Sequence, residues 1–335
     1  SPPSGCQARC SWSSTKLLSQ TKSKMAIAVI EYFLVNYGST IGVYTGNTAA
    51  NNKFTENNTM PVFDPDFEIY ADITAKALAA QHKDNPQILG IMSDNELPYD
   101  LNMLVDYLNL NPNNPVNAYS YATAWKWVCD YTGKANPSLS DITPAMKADF
   151  VEFVYDRYYY VVSTALKKYM PNKLYLGSRY CFSNYKNKPA MAAAGRYCDV
   201  VSINYYYAWT PDSLMMADWY EWSGKPVLIT EWYAMAYDSG LPNEGGAGWK
   251  VETQKERGRF YHNYLLKLMQ NKNCVGFHWF MYQDNDASGA LASDPHSSNK
   301  GIVSGMFEPW TDLTNEAKKI NRQAYQLIDY FDTRK

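Results

Sequence analysis

The apolar positions of this chain fall into two kinds of run. From about residue 64 onward, short and nearly continuous apolar stretches alternate with longer ones in which apolar residues recur every three to four positions. The short stretches read as strands at 88–94, 174–180, 199–206, 226–231 and 275–280. The longer ones read as helices. Asp64-Pro65 opens the first, with Asp as N-cap and Pro at the first helical position, and sets Phe67, Tyr70, Ile73, Ala77 and Leu78 on one face. Helical patterns then cover 119–129 and 145–168. In the second, Phe150, Phe153, Val154, Tyr158, Val161 and Ala165 form the stripe. Two more follow at 251–270 and 315–331, the last carrying Ala317, Ile320, Ala324, Leu327, Ile328 and Phe331.

Strands that are apolar on both faces and separated by helices predict an α/β fold with a parallel sheet covered on both sides. If the strand at 88–94 is the fourth and that at 226–231 the seventh, the strand at 275–280 is the eighth and closes a (β/α)8 TIM barrel. At 335 residues such a barrel is a single catalytic domain over 1–335. The N-terminal part fits less well. Residues 38–44 read as strand three and 8–13 as a remnant of strand two. Residues 1–35 match no barrel unit, so a missing or aberrant N-terminal strand is expected. The chain starts at Ser1 rather than Met and shows no clear signal peptide, which reads as a mature form or a fragment.

Two of these strands end in a carboxylate. One closes in Ser93-Asp94-Asn95-Glu96 and the other in Thr230-Glu231-Trp232. Parallel barrels place their chemistry at that strand end. Paired carboxylates are the machinery of glycoside hydrolysis, with the two groups roughly 5–5.5 Å apart in retaining enzymes and about 6.5–9.5 Å apart in inverting ones. Glu96 is read as the general acid/base, a role that needs a raised pKa, and Glu231 as the nucleophile, which stays ionised. The amide of Asn95 suits a sugar 2-hydroxyl. The competing reading of each glutamate is a strand-end ion pair.

Composition narrows the partners. The 31 Lys and Arg against 33 Asp and Glu give a net charge of −2, which predicts no nucleic-acid partner and no anionic-membrane partner. No apolar run is long enough to span a membrane. Aromatic residues make up 15% of the chain, with 29 Tyr and 10 Trp. Such rings suit a pyranose, which offers an apolar C–H face and a hydroxyl rim, and they equally suit a tyrosine-rich core. The six cysteines (Cys6, Cys10, Cys129, Cys181, Cys198, Cys274) lack metal-type spacing, although Cys6 and Cys10 could bridge. Asp284-Asn285-Asp286 opens like a calcium loop, but position 12 would be Pro295, so the pattern fails. No metal and no cofactor are expected, and nothing in the sequence fixes the oligomeric state.

Asp-Asn-Glu on the fourth strand, Thr-Glu-Trp on the seventh and His-Trp-Phe on the eighth resemble the large clan of retaining (β/α)8 glycosidases. Gly276-Phe277-His278-Trp279-Phe280-Met281-Tyr282-Gln283-Asp284-Asn285-Asp286 is more narrowly similar to the agarase-like group, relatives of β-agarases and barrel-type β-galactosidases. The resemblance covers about residues 60–335. It implies Glu96 as acid/base, Glu231 as nucleophile and Asn95 as the 2-hydroxyl ligand. It also implies that Tyr205 or Tyr206 hydrogen-bonds the nucleophile, against a core or sugar-stacking role. The implied substrate is a β-linked galactose-containing polysaccharide or oligosaccharide, and the implied setting is secreted or periplasmic. The family's first strand, and an Arg on an early strand, cannot be placed.

Other candidates complete the site. Trp279 is a platform for the −1 sugar or a core residue. His278 alternates with it, so a regular strand sends the two to opposite faces, and a satisfied buried histidine is the alternative. Arg179 binds substrate hydroxyls or a carboxylate, or forms a rim salt bridge. Trp209, Trp232, Tyr233 and Trp249, in loops after the sixth and seventh strands, are candidates for further subsites. Residues 234–248 form a glycine-rich loop that could shape the cleft. The rival readings are an exo-acting β-galactosidase or other β-glycosidase, a non-catalytic carbohydrate binder, and an inactive truncated barrel.

Overall fold

The structure, a computed structural model, describes residues 27–48, 51–285 and 297–333. The chain divides into two compact units, Ser1–Val201 with Trp222–Lys225 and Ser202–Glu221 with Pro226–Lys335.

The first unit carries, in order, β1 (Ile27–Glu31), α1 (Phe33–Thr40), β2 (Tyr44–Thr48), β3 (Asn51–Phe54), α2 (Thr55–Asn58), α3 (Pro65–His82), β4 (Ile88–Ser93), α4 (Met103–Leu108), α5 (Ala118–Thr132), α6 (Pro144–Tyr169), β5 (Leu174–Tyr175), β6 (Arg179–Cys181) and α7 (Lys188–Tyr197). Strand β4 lies between β1 and β5, parallel to both, with Glu31 opposite Ser93 and Gly90 opposite Leu174. A Cβ at Gly90 would lie 2.5 Å from the Leu174 carbonyl oxygen, so the close β4–β5 approach requires glycine there. The helices start on local signals. Asp64 accepts from the Asp66 amide at 3.0 Å, and Thr143 from the Met146 amide at 3.2 Å, each followed by Pro at the first helical position.

Four expectations for this unit are corrected. Residues 38–44 are not a strand: they hold the end of α1, a turn through Gly42 at φ +77° and the start of β2, which pairs antiparallel with β3. The β-branched Thr40, Ile41 and Val43 favour a strand, but the capping of α1 described below and the left-handed Gly42 override them. A parallel strand is nonetheless present in the segment that matched no barrel unit, as β1. On α3 the buried stripe is Phe67, Ala71, Ala75, Leu78 and Ala79; Phe67 and Leu78 lie on it as predicted, but Tyr70 is half-buried, Ala77 is exposed and Ile73 is 62% exposed. The strand expected over 174–180 is split into β5 and β6 around Gly177, at φ +71°. The proposed remnant at 8–13, Cys6 and Cys10 lie outside the described residues.

The second unit carries β7 (Val201–Asn204), α8 (Ser213–Ser223), β8 (Val227–Glu231), β9 (Ala234–Ala236), β10 (Trp249–Val251), α9 (Gln254–Gln270), β11 (Cys274–Phe277), α10 (Thr311–Asn321) and α11 (Ala324–Asp332). All five residues of β8 are buried between β7 and β11, and β11 runs parallel to it. The glycine-rich loop after β8 is bracketed by the parallel pair β9–β10. A reciprocal Thr253/Glu256 capping box starts α9. The fully buried Arg257 on α9 then donates to the carbonyls of Ala234 (2.6 Å) and Gly301 (2.7 Å), tying the segments after β8 and β11 to that helix. Burial outweighs the nearby Asp284 and Asp238 and lowers its pKa to about 9. The expected terminal helix is two helices, α10 and α11.

Parallel strands separated by helices give the α/β class read from the sequence. Among the described residues, no helix is long and apolar enough to cross a membrane, and no group of three or more His, Cys, Asp or Glu could hold a metal ion. Cys129, Cys181, Cys198 and Cys274 are free thiols.

Candidate active site

In the first unit the chain leaves β4 through a strained turn. Asp94 and Glu96 both adopt left-handed backbone, at φ +56° and +51°, a region L-residues occupy only when the surroundings enforce it. Backbone bonds supply that enforcement. The amides of Ser93, Asp94 and Glu96 donate to the carbonyls of Gly177 (2.9 Å), Glu31 (3.0 Å) and Arg179 (2.9 Å), and the Asn52 amide donates to the Glu96 carbonyl at 3.0 Å. The Asn52 side-chain amide also donates to the Asn95 carbonyl. Asn95 and Arg179 form an isolated parallel bridge. Three predicted site residues, Asn95, Glu96 and Arg179, are thus brought together. Glu96 is buried, and Asn95 and Arg179 are half-buried.

Asp94 underpins this turn. Helix α1 has no local side-chain cap at Tyr32. The fully buried Asp94 carboxylate instead accepts from the amides of Leu34 (2.9 Å) and Val35 (3.0 Å), and from the Tyr158 hydroxyl on α6 at 2.7 Å. It is an N-cap delivered from sixty residues away. Burial pushes its pKa up to about 6, against the opposing pull of those three donors. Sequence reading missed Asp94 and Asn52. Only the polarity of Asp94 at the end of an apolar run signals the first.

In the second unit Glu231 is the last residue of β8. Its carbonyl accepts from the Tyr205 amide at 2.8 Å, and its carboxylate accepts from the Tyr206 hydroxyl. Alternation along an extended segment separates the two tyrosines. Tyr205 packs edge-on to Trp219 and Tyr264, and its hydroxyl accepts from the Asp212 amide, so of the two the one bonded to the Glu231 carboxylate is Tyr206.

Trp232 turns the other way. Its ring is 1% exposed and stacks on Tyr264 of α9 at 4.3 Å and 9°, with Phe260, Tyr261, Phe277 and Trp279 around it. It is a core side chain, and such stacking is worth about 0.5–1.5 kcal/mol beyond area burial. Trp279 meets it edge-on at 4.9 Å, and its indole N–H donates to the Lys300 carbonyl at 2.9 Å. His278 extends the β11–β8 ladder through its amide to Ile229 (2.8 Å), and both His278 and Trp279 are half-buried. Sequence reading also missed Lys300, a buried lysine whose ammonium lies 5.6 Å from the Tyr233 ring; that ring in turn meets Tyr206 edge-on at 5.5 Å. The Asp284 carboxylate is engaged by protein donors, accepting from the Gly301 amide (2.6 Å), Trp310 (2.8 Å) and Asn299 (3.2 Å).

Comparison with known proteins bears on what these residues do. No protein-family model matches the chain. It is 29% identical over 297 residues to β-agarase B of Vibrio sp. (strain JT0107), covering 79% of this chain and 30% of that protein. It is 36% identical over 177 residues to β-agarase A of the same strain, covering 50% of this chain and 17% of that one. Among solved structures, BpGH50 aligns with a TM-score of 0.77 and 32% identity, over 92% of this chain and 64% of that chain. The chain therefore spans less than a third of the length of the two curated relatives. Its sequence is agarase-like, and its α/β fold, of the (β/α)8-barrel class, is shared with solved glycoside hydrolase structures.

Proposed function

We propose that this chain is a single catalytic domain, a retaining glycoside hydrolase acting on β-linked galactose-containing polysaccharides or oligosaccharides. The observation that carries the reading is its similarity to two β-agarases. The geometry around each glutamate supports it. Glu231 ends a buried strand with a tyrosine hydroxyl on its carboxylate. Glu96 ends another strand's exit turn, beside Asn95 and Arg179.

The mechanism is double displacement. The Glu231 carboxylate attacks the anomeric carbon while Glu96 protonates the departing glycosidic oxygen, so that the C–O bond to the leaving group breaks as the glycosyl ester forms. A water then attacks the same carbon and gives its proton to Glu96, and the ester bond to Glu231 breaks. Tyr206 holds the nucleophile in place, Asn95 takes the 2-hydroxyl, and Arg179, Trp279 and His278 contribute substrate contacts. A polymeric substrate too large to cross a membrane places the enzyme outside the cytoplasm, secreted or periplasmic.

The test is reducing-end release from agarose, porphyran, β-galactan and simple β-galactosides by wild type, Glu231→Ala and Glu96→Ala, with the product anomer followed by NMR. The expected result is release from at least one galactan with the β-anomer formed first. Each substitution should then lower the rate at least about a thousandfold in a protein that still melts cooperatively. A folded wild type that releases nothing from any of these sugars overturns the reading. So does release that survives both substitutions. First formation of the α-anomer overturns the retaining mechanism.

A further inference from the structure

Two tryptophans take no part in that chemistry and are not consumed by the core. Trp209, between β7 and α8, is 38% exposed, and Trp249, at the start of β10, is 37% exposed. Their ring centroids lie 6.1 Å apart, at 59°. Both are held firmly. The Trp209 ring packs on Phe260 at 5.4 Å, and Asn263 on α9 donates to the Trp209 carbonyl (3.1 Å) and the Thr210 hydroxyl (2.7 Å). Trp249 donates from its amide to the Tyr233 carbonyl at 3.0 Å. The Trp209 ring, packed on Phe260, binds a ligand without a large ordering cost, and the Trp249 backbone is anchored beside it.

Trp209, whose ring meets that of Trp249, lines a cleft of about 430 Å³ together with Lys250, Val251, Glu252, Glu256 and Arg259. Its charges balance, two cations against two carboxylates. Glu256 already accepts from the Glu252 and Thr253 amides. A cleft of this kind has apolar rings, polar groups around them and no net charge. It matches a chain with C–H faces and hydroxyl edges, and offers a polyanion no net attraction. The two loops that supply it also carry Tyr206 and Tyr233, which pack on each other beside Glu231.

We propose that Trp209 and Trp249 form a secondary subsite for a neutral β-linked galactan chain, holding polymer on the loops that also support the nucleophile. This inference rests on the galactan reading of the substrate. Such a second foothold raises affinity for long chains through effective concentration, with no demand on the chemical step.

The test uses affinity electrophoresis of the whole chain in gels containing agarose or a sulfated galactan. Glu231→Ala serves as the background so that the polymer survives. Adding Trp249→Ala should weaken retardation by agarose about tenfold in apparent Kd. Trp249→Tyr should restore most of it, and thermal melts should confirm that all variants fold. Trp209→Tyr, which keeps a ring against Phe260, covers the case in which removal of a tryptophan unfolds the chain. It should bind between the parent and Trp249→Ala. Equal retardation of parent and Trp249→Ala overturns the subsite, as does absence of retardation by agarose. Stronger retardation by the sulfated galactan overturns its preference for a neutral chain. Hydrolysis without tryptophan-dependent retardation removes the subsite and leaves the hydrolase reading intact. Tryptophan-dependent retardation without hydrolysis does the reverse.

Discussion

The two glutamate-bearing segments are placed by opposite means. Glu231 stays within a regular, fully buried strand, so the ladder itself positions its backbone, and Tyr206 then fixes the carboxylate. Glu96 lies three residues past the end of β4, in a turn with two left-handed residues, and is positioned by bonds from β1, β3, β6 and the Gly177 turn. The first arrangement costs little backbone strain. The second stores strain and offsets it with tertiary hydrogen bonds, of which those to Asp94 are the most deeply buried. One candidate glutamate is therefore supported mainly by secondary structure, and the other by a carboxylate that caps a helix distant in sequence.

This contrast makes its largest prediction at Asp94. Asp94→Ala removes the acceptor of three buried donors: Leu34 N–H, Val35 N–H and the Tyr158 hydroxyl. Stranding buried donors of this kind is expected to cost about 3–5 kcal/mol. Glu96→Ala, two residues on, leaves the backbone bonds that hold the turn in place and should cost less. Urea unfolding of both variants checks this. If Asp94→Ala is no more damaging than Glu96→Ala, the turn is not supported in the way described.

A second prediction follows from the same carboxylate. Burial raises the pKa of Asp94 in the folded chain to about 6, above an ordinary value of 3.8. A raised pKa means that the native state binds the proton more tightly than the unfolded state does. The resulting contribution to stability is fully present below about pH 4 and is lost as pH rises through about 6. A difference of that size corresponds to about 3 kcal/mol. The advantage of wild type over Asp94→Asn in urea unfolding should therefore be larger at pH 4 than at pH 7 by about 2–3 kcal/mol. An advantage independent of pH would show that the three donors keep Asp94 ionised throughout.

The same contrast explains what could be read from the sequence. Strands β4 and β8 were legible as short, nearly continuous buried apolar runs, and helices α3, α6 and α9 because each buries one face, which imposes a period on the sequence. The strand-end positions of Glu96 and Glu231 followed from those strands. What failed depended on distant partners. Residues 38–44 have strand-like composition, but α1 is capped by Asp94, which lies beyond any local window. The ends of the α3 stripe, Phe67 and Leu78, were legible; its middle was not, because Ala71 and Ala75 fill it while the bulkier Ile69 and Ile73 face outward. Tyr205 and Tyr206 could not be told apart until the strand's facing was known, and Trp232, adjacent to a glutamate, gave no sign that it belongs to the α9 stack.

The smallest expected effect is at Tyr206, and it tests the Glu231 side of the contrast. Tyr206→Phe deletes one hydrogen bond to the Glu231 carboxylate and keeps the ring that meets Tyr233 edge-on. A typical hydrogen bond contributes about 0.5–1.5 kcal/mol net, and Phe leaves no unpaired donor behind. On the proposed mechanism, kcat should fall about tenfold with KM little changed, because the bond orients the attacking oxygen rather than the sugar. Stability should change by less than about 1 kcal/mol, since β8 and its neighbours hold the backbone without the tyrosine. Steady-state kinetics and urea unfolding on one preparation separate the outcomes. A large loss of stability with activity retained would mean that Glu231, like Asp94, is mainly a structural carboxylate, and the difference between the two segments would disappear. A fall in kcat in a protein as stable as wild type would show that Tyr206 serves the nucleophile while the strand serves the fold.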